Sequence, residues 1–130
     1  MPPASAMDSN CARYSWQVVG IKDGDTLSVN LPGLPRELSP IAVRVRSVDA
    51  PESGGRAKCL GERRLAEQAT QFTRHAITTA RRIEFASVSW DKYGGRIDAD
   101  VWVDDELLSD QLIAAGLARR YNGGKRTGWC

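Results

Sequence analysis

From Cys59 to about Ala80 the apolar residues Leu65, Ala69, Phe72 and Ala76 recur at helical spacing. On both sides of this stretch the period is two. "YSWQVVGI" (14–21), "TLSVNL" (26–31) and "IAVRVRSV" (41–48) precede it, and "RRIEFASVSW" (81–90) and "RIDADVWV" (96–103) follow. All five are rich in β-branched and aromatic residues and read as strands. "DELLSDQLIAAGL" (105–117) then reads as a short helix with acids in its first turn and Gly116 as its stop. The predicted order is β-β-β-α-β-β-α, an α+β chain that is mainly β. It is compatible with a five-stranded barrel of the OB type, with one helix after strand 3 and another after strand 5.

The chain has 130 residues, enough for one domain with a real core. Residues 1–13 read as a loose arm, 14–121 as the domain and 122–130 as a basic tail. Arg119, Arg120, Lys125 and Arg126 fall after position 117 with no acid among them. Such a stretch touches phosphates or acidic lipid, or is simply solvated. No apolar run approaches the roughly 20 residues of a membrane span, and no membrane partner is expected. "MPPASAMDSN" has no apolar core, so it is not a signal peptide as it stands. Three widely spaced cysteines and one histidine, His75, argue against a zinc site. The cysteines read either as one disulfide with one left over or as three buried thiols. His75 lies beside the helical stripe and is expected to be partly buried.

Two turns carry the chemistry. "KDGDT" (22–26) joins the first two strands, and "DAPESGGRAK" (49–58) leaves the third. Asp25 starts the second strand and Asp49 ends the third, so in neighbouring antiparallel strands the two ends meet. Carboxylates ~4 Å apart repel by about 4 kcal/mol at an effective dielectric near 20. A proton, an arginine or a metal ion would offset this, and all-oxygen ligands suit calcium or magnesium. Glu52 follows Asp49 across a proline-stiffened turn and stands near such an ion. Asp23 is expected to shape the turn through its own backbone. Arg44 and Arg46 point to the face opposite Ile41, Val43 and Val45. Each piece alone also has a plain structural reading, as a hairpin turn, a helix-entry turn or a solvated strand arginine.

In this order, "DGDT", "VRVRSVDAPE", a helix, "DKYGGR" and "GLARRY" resemble the staphylococcal nuclease family, the thermonucleases. The likeness runs over about residues 14–121. It implies an OB-fold barrel and a calcium-dependent phosphodiesterase that cuts DNA and RNA with little regard for sugar or sequence. By the resemblance, Asp25, Asp49 and the backbone carbonyl of Ala50 are calcium ligands, and Glu52 orients or deprotonates the attacking water. Arg44 and Arg96 are the phosphate arginines, and Lys92, Tyr93 and Tyr121 contact the nucleotide. Arginine grips phosphate oxygens in pairs and stays charged at any working pH.

Two departures stand out. "DKYGGR" carries one glycine more than the usual "DKYGR", which would displace Arg96 if the turn fails to absorb it. Longer members add a third helix after the position of Tyr121, where this sequence has "NGGKRTGWC". A Cys59–Cys130 disulfide is expected to tie that segment down, which points to a secreted or periplasmic, monomeric enzyme. The alternative is a noncatalytic OB module that binds single-stranded nucleic acid or a protein partner, with Trp16, Trp90, Trp102 and Tyr93 as stacking aromatics. The full set Asp25, Arg44, Asp49, Glu52 and Arg96 separates the two, since a pure binder has no need of it.

Overall fold

The computed structural model describes residues 12–52, 54–92, 94–124 and 128–130. Among them are nine strands: β1 Arg13–Tyr14, β2 Gln17–Asp23, β3 Thr26–Asn30, β4 Ile41–Val45, β5 Val48–Asp49, β6 Ile83–Trp90, β7 Arg96–Val103, β8 Glu106–Leu107 and β9 Arg119–Arg120. Helix α1 spans Leu60–Thr79 and helix α2 spans Leu108–Ala114. The five longer strands and both helices overlap the stretches that the sequence assigns to them. The fold is mixed α and β, mainly sheet.

The expected count of five strands needs correcting. The main sheet is an open hydrogen-bonded path, β1-β6-β7-β4-β3-β2, with β8 added to β7, while β5 and β9 form a separate pair. The first expected strand is broken at Ser15 and Trp16. Trp16 leaves the strand line to stack between Tyr14 and Phe85, with ring centroids 5.3 and 5.1 Å away. The residues before it therefore pair with β6 and those after it with β3.

The core lies between the sheet and the two helices. Leu27, Val29, Val43, Val45, Phe85, Val101, Leu108 and Leu112 have no exposed surface. Alternation along β7 is complete, with Ile97, Ala99, Val101 and Val103 buried and the residues between them half-buried. β4 and β7 run parallel, with Ala42 opposite Arg96 and Arg44 opposite Asp98. Parallel neighbours need a long crossover, and α1 and β6 supply it.

Helix α1 begins at a capping box built on sulfur. Cys59 is the N-cap, and its Sγ accepts the N–H of Glu62 at 3.3 Å. Glu62 reaches back to accept the N–H of Lys58 at 2.8 Å. Cys59 is also bonded to Cys130, as expected, and Cys11 lies outside the described residues. The buried stripe of α1 is small, Ala66, Ala69 and Thr73, so the helix sits close to the β2–β3 turn. A Cβ on Gly24 would lie 2.6 Å from the Cβ of Ala69. His75 is exposed rather than partly buried.

The second helix starts later than expected. Asp104 and Asp105 take left-handed backbone angles, φ 50° and 68°, and turn the chain so that Glu106–Leu107 pairs back onto β7. Only Asp110 of these acids lies in the first helical turn. Gly116 ends the helix at φ 74°, with Leu117 N–H donating to Leu112 O at 2.9 Å.

Candidate active site

Helix α1 fixes the first acidic turn. Thr73 Oγ1, fully buried, donates to Gly24 O at 2.7 Å. Asp25 is thereby held beside the end of β4, where its own carbonyl accepts the Val45 N–H at 2.9 Å. Its side chain is mostly buried. Thr26 Oγ1 donates to Oδ1 at 3.2 Å, the Ala50 N–H donates to Oδ2 at 3.4 Å, and Arg44 Nη2 lies 3.9 Å from Oδ2. Burial pushes the Asp25 carboxyl above its usual range, and Asp23 adds to the rise, against the pull of Arg44 and the two hydrogen bonds. Arg44 also donates from Nη2 to Val48 O at 3.0 Å, which folds it over the start of the second acidic turn.

That turn is tied to the rest of the molecule at three points. Asp49 is buried in β5, opposite Arg119 of β9. Ala50 reaches Asp25 through its N–H. Glu52 donates its backbone N–H to Glu62 Oε2 at 3.0 Å, and its side chain lies 3.6 Å from Arg56 Nη1. The backbone N–H groups of Lys58 and Glu52 hold the Glu62 carboxyl below the usual carboxylate range. Asp49, Ala50, Glu52 and Glu62 line a small cavity of about 110 Å³, closed on another side by Gly128 and Trp129.

Among the described residues no group of three or more His, Cys, Asp or Glu side chains converges as a metal cluster. The expected donor set is smaller, two carboxylates and one carbonyl. All donors are oxygen, which suits a hard cation. A buried carboxylate forced toward its neutral form also gains from a nearby positive charge.

The arginines face a second, larger cavity of about 700 Å³ lined by Arg44, Arg46, Lys92, Arg96, Asp98 and Tyr121. Arg44 and Arg96 reach it from one face of the parallel pair β4 and β7. Arg96 lines this cavity with the extra glycine in the turn before it. Gly94 and Gly95 adopt φ 76° and 77°, angles at which an L side chain is strained, and the turn closes with Gly94 N–H on Asp91 O at 2.8 Å. Arg96 Nε then donates to Oδ2 of buried Asp91 at 3.1 Å. Tyr121 is brought to the same cavity by β9, its N–H donating to Ser47 O at 2.9 Å. Lys92 is exposed at the rim, and Tyr93 lies outside the described residues.

The sequence-predicted residues thus fall in two adjoining groups, with Arg44 touching both. Several neighbours were not singled out. Asp91 reads in the sequence as a turn former and Glu62 as a helix-entry acid. Arg46 belongs to a turn after β4 rather than to the strand, and it donates to Ser87 O at 2.6 Å and to Ser89 Oγ. Asp98 sits on the cavity floor beside Asp91. Its carboxyl is raised by burial first and by Asp91 next, while Arg46 and Arg44 pull it down. The alternation of β7 places Asp98 on the face of Arg96, and that was the available signal.

Comparison with known proteins shows the family. Residues 42–127, well over half of the chain, match the family model described as staphylococcal nuclease homologue. A thermonuclease of Staphylococcus hyicus is 31% identical over 119 residues, covering 91% of this chain and 66% of that protein. A thermonuclease of Staphylococcus intermedius is 33% identical over 106 residues, covering 81% of this chain and 58% of that protein. The chain therefore spans about three fifths to two thirds of the length of these relatives. With Arg44, the second acidic turn, α1 and the Arg96 strand all inside the matched region, the chain belongs to the staphylococcal nuclease family.

Proposed function

We propose that this protein is a calcium-dependent nuclease that hydrolyses phosphodiester bonds of DNA and RNA. The observation that carries the reading is the double attachment of Arg44. It faces the large cavity together with Arg96, and it lies 3.9 Å from Asp25 on the acidic side. A phosphate gripped by the two arginines is thereby held next to the carboxylates. Asp25, Asp49 and the Ala50 carbonyl would hold the calcium ion, which when bound offsets their charge and polarises a phosphate oxygen.

Glu52 accepts a hydrogen bond from the attacking water and aims its oxygen at phosphorus. A carboxylate is a weak base, so positioning is its main contribution. As the new P–O bond forms and the leaving P–O bond breaks, negative charge grows on the phosphate oxygens. Arg44 and Arg96 meet that charge with donors already in place. Lys92, Tyr93 and Tyr121 are read as nucleotide contacts. The relatives are named thermonucleases, which supports the same reading. The OB-type barrel is supported by the sheet's two ends, β1 and β2, being separated only by Ser15 and Trp16. Among the described residues no helix is long and apolar enough to cross a membrane. The disulfide supports an oxidising, exported setting.

The test is cleavage of DNA and RNA with calcium and with chelator, in wild type, Glu52→Ala and Arg96→Ala. Both variants are expected to fold normally and to lose at least about 100-fold in rate. Wild-type rates in Glu52→Ala would refute the mechanism. Binding without cleavage by the wild type would favour a noncatalytic module.

A further inference from the structure

We propose that Trp129 is a positioning residue of the active site, its indole N–H holding a water molecule against Glu52. The proposal rests on Glu52 being the water-orienting carboxylate of the nuclease reading. Three observations lead to it. Trp129 Nε1 is buried and has no acceptor among the described residues. It belongs to a residue that lines the cavity of about 110 Å³ shared by Asp49, Glu52 and Glu62. Buried polar donors are rarely left unpaired, and a polar cavity of this size takes ordered water.

The segment carrying Trp129 is fastened to the site from two directions. Arg119 lies over the indole ring at 3.8 Å and donates from Nη1 to Gly128 O at 2.7 Å. Arg119 is itself the β9 residue opposite Asp49. On the other side Cys130 is bonded to Cys59, the N-cap of α1. Three residues along, Glu62 holds the Glu52 backbone. One turn of α1 therefore anchors both Glu52 and Trp129, and their separation is set by a single rigid element.

A water between them would donate one hydrogen to the Glu52 carboxylate and accept the indole hydrogen on one lone pair. Its second lone pair is then the one left to attack phosphorus. Glu52 alone fixes one direction of the water, and the indole fixes a second. Phenylalanine would keep the ring under Arg119 and lose only this donor.

Trp129→Phe is the variant to make, beside wild type and Glu52→Gln. Its melting temperature and KM should match wild type, while kcat with calcium should fall by about tenfold, as for other supporting groups. Independently of activity, ¹⁵N-labelled protein without calcium gives an indole N–H signal for Trp129, identified by its loss in Trp129→Phe. That signal should shift in Glu52→Gln, with the other tryptophan indoles unmoved. Unchanged kcat in Trp129→Phe, or an unmoved indole signal in Glu52→Gln, would overturn the proposal. If the wild type cleaves no nucleic acid, the nuclease reading fails instead, and the indole signal still decides whether Trp129 and Glu52 are coupled.

Discussion

Arg96 and Asp91 close a ring across the glycine turn: Arg96 Nε donates to Asp91 Oδ2 at 3.1 Å, and Asp91 N–H donates to Arg96 O at 2.9 Å. The side-chain bond fixes one edge of the guanidinium and leaves its orientation in the cavity dependent on a buried acid. Asp91→Ala should therefore lower kcat by about tenfold or more, since small misplacements of catalytic groups are costly. Asp91→Asn keeps an acceptor oxygen and should retain most of the rate. Steady-state kinetics on the two variants, with melting curves as control, checks this.

Calcium and pH should act on stability in opposite senses through Asp25. Its folded-state carboxyl is raised above the usual 3.8 by burial. The folded protein thus holds this proton more tightly than the unfolded chain. That contribution is fully present below the ordinary value and is lost as pH rises through the raised one. A calcium ion held by Asp25 as proposed would bind the ionised form, so its stabilisation should grow over the same rise in pH. At one hundred times its dissociation constant the ion adds about 2.7 kcal/mol. Melting curves from about pH 4 to about pH 8, with calcium and with chelator, test this. Asp25→Asn should flatten both dependences.

Gly24→Ala should damage the fold and the calcium response together. Its new Cβ would meet Ala69 Cβ at 2.6 Å and Ala69 backbone atoms at 3.2 and 3.3 Å. The turn must then lift from α1, at a cost of about 1–3 kcal/mol for overpacking. Lifting also strains the Thr73 hydrogen bond that holds the turn carrying Asp25. Urea denaturation should show the loss, and the calcium-induced rise in melting temperature should shrink. A variant with wild-type stability would mean that the helix yields more easily than its buried alanines suggest.

Glu62→Gln should weaken the protein at neutral pH and spare it in acid. The folded-state carboxyl lies below the usual 4.5, held first by the Lys58 N–H and then by the Glu52 N–H. Its stabilisation is present above the ordinary value and is lost as pH falls through the lowered one. Charged hydrogen bonds of this kind contribute about 1.5–3 kcal/mol. The variant should therefore be less stable near pH 7 and approach wild type as the pH falls below the lowered value. Denaturant titrations at the two pH values measure the difference.

Local pattern made the five longer strands and α1 legible, because each has a clear period and a turn residue at its end. The pairs β1–β6 and β5–β9 were not legible. β1, β5 and β9 have two residues each, too few for a period, and each partner lies far along the chain. The same holds for β8, whose pairing with β7 takes Glu106 and Leu107 out of the expected helix. In the site, Asp25, Arg44, Asp49, Glu52 and Arg96 stood out because short motifs carried them. Asp91, Glu62 and Trp129 did not, since each acts through a partner that only the fold brings near. Arg46 was legible as an arginine on the face opposite Val43 and Val45 but not as part of a turn, because nothing local marks Ser47 for its φ of 70°.

The Cys59–Cys130 bond spans 71 positions of sequence and makes a covalent ring of α1, β6, β7, β8, α2 and β9. Arg119 and Arg120 are exposed on that ring, as are Asn122 and Gly124 just beyond them. A trypsin-like protease cutting after either arginine would open the ring and release nothing. Both pieces would remain one molecule, of unchanged mass apart from one added water, until a reductant separated them. The residues that line the two cavities would stay joined through α1. Survival of a single nick thus follows from where the second cysteine lies, and a second cut within the ring is needed before any fragment is lost.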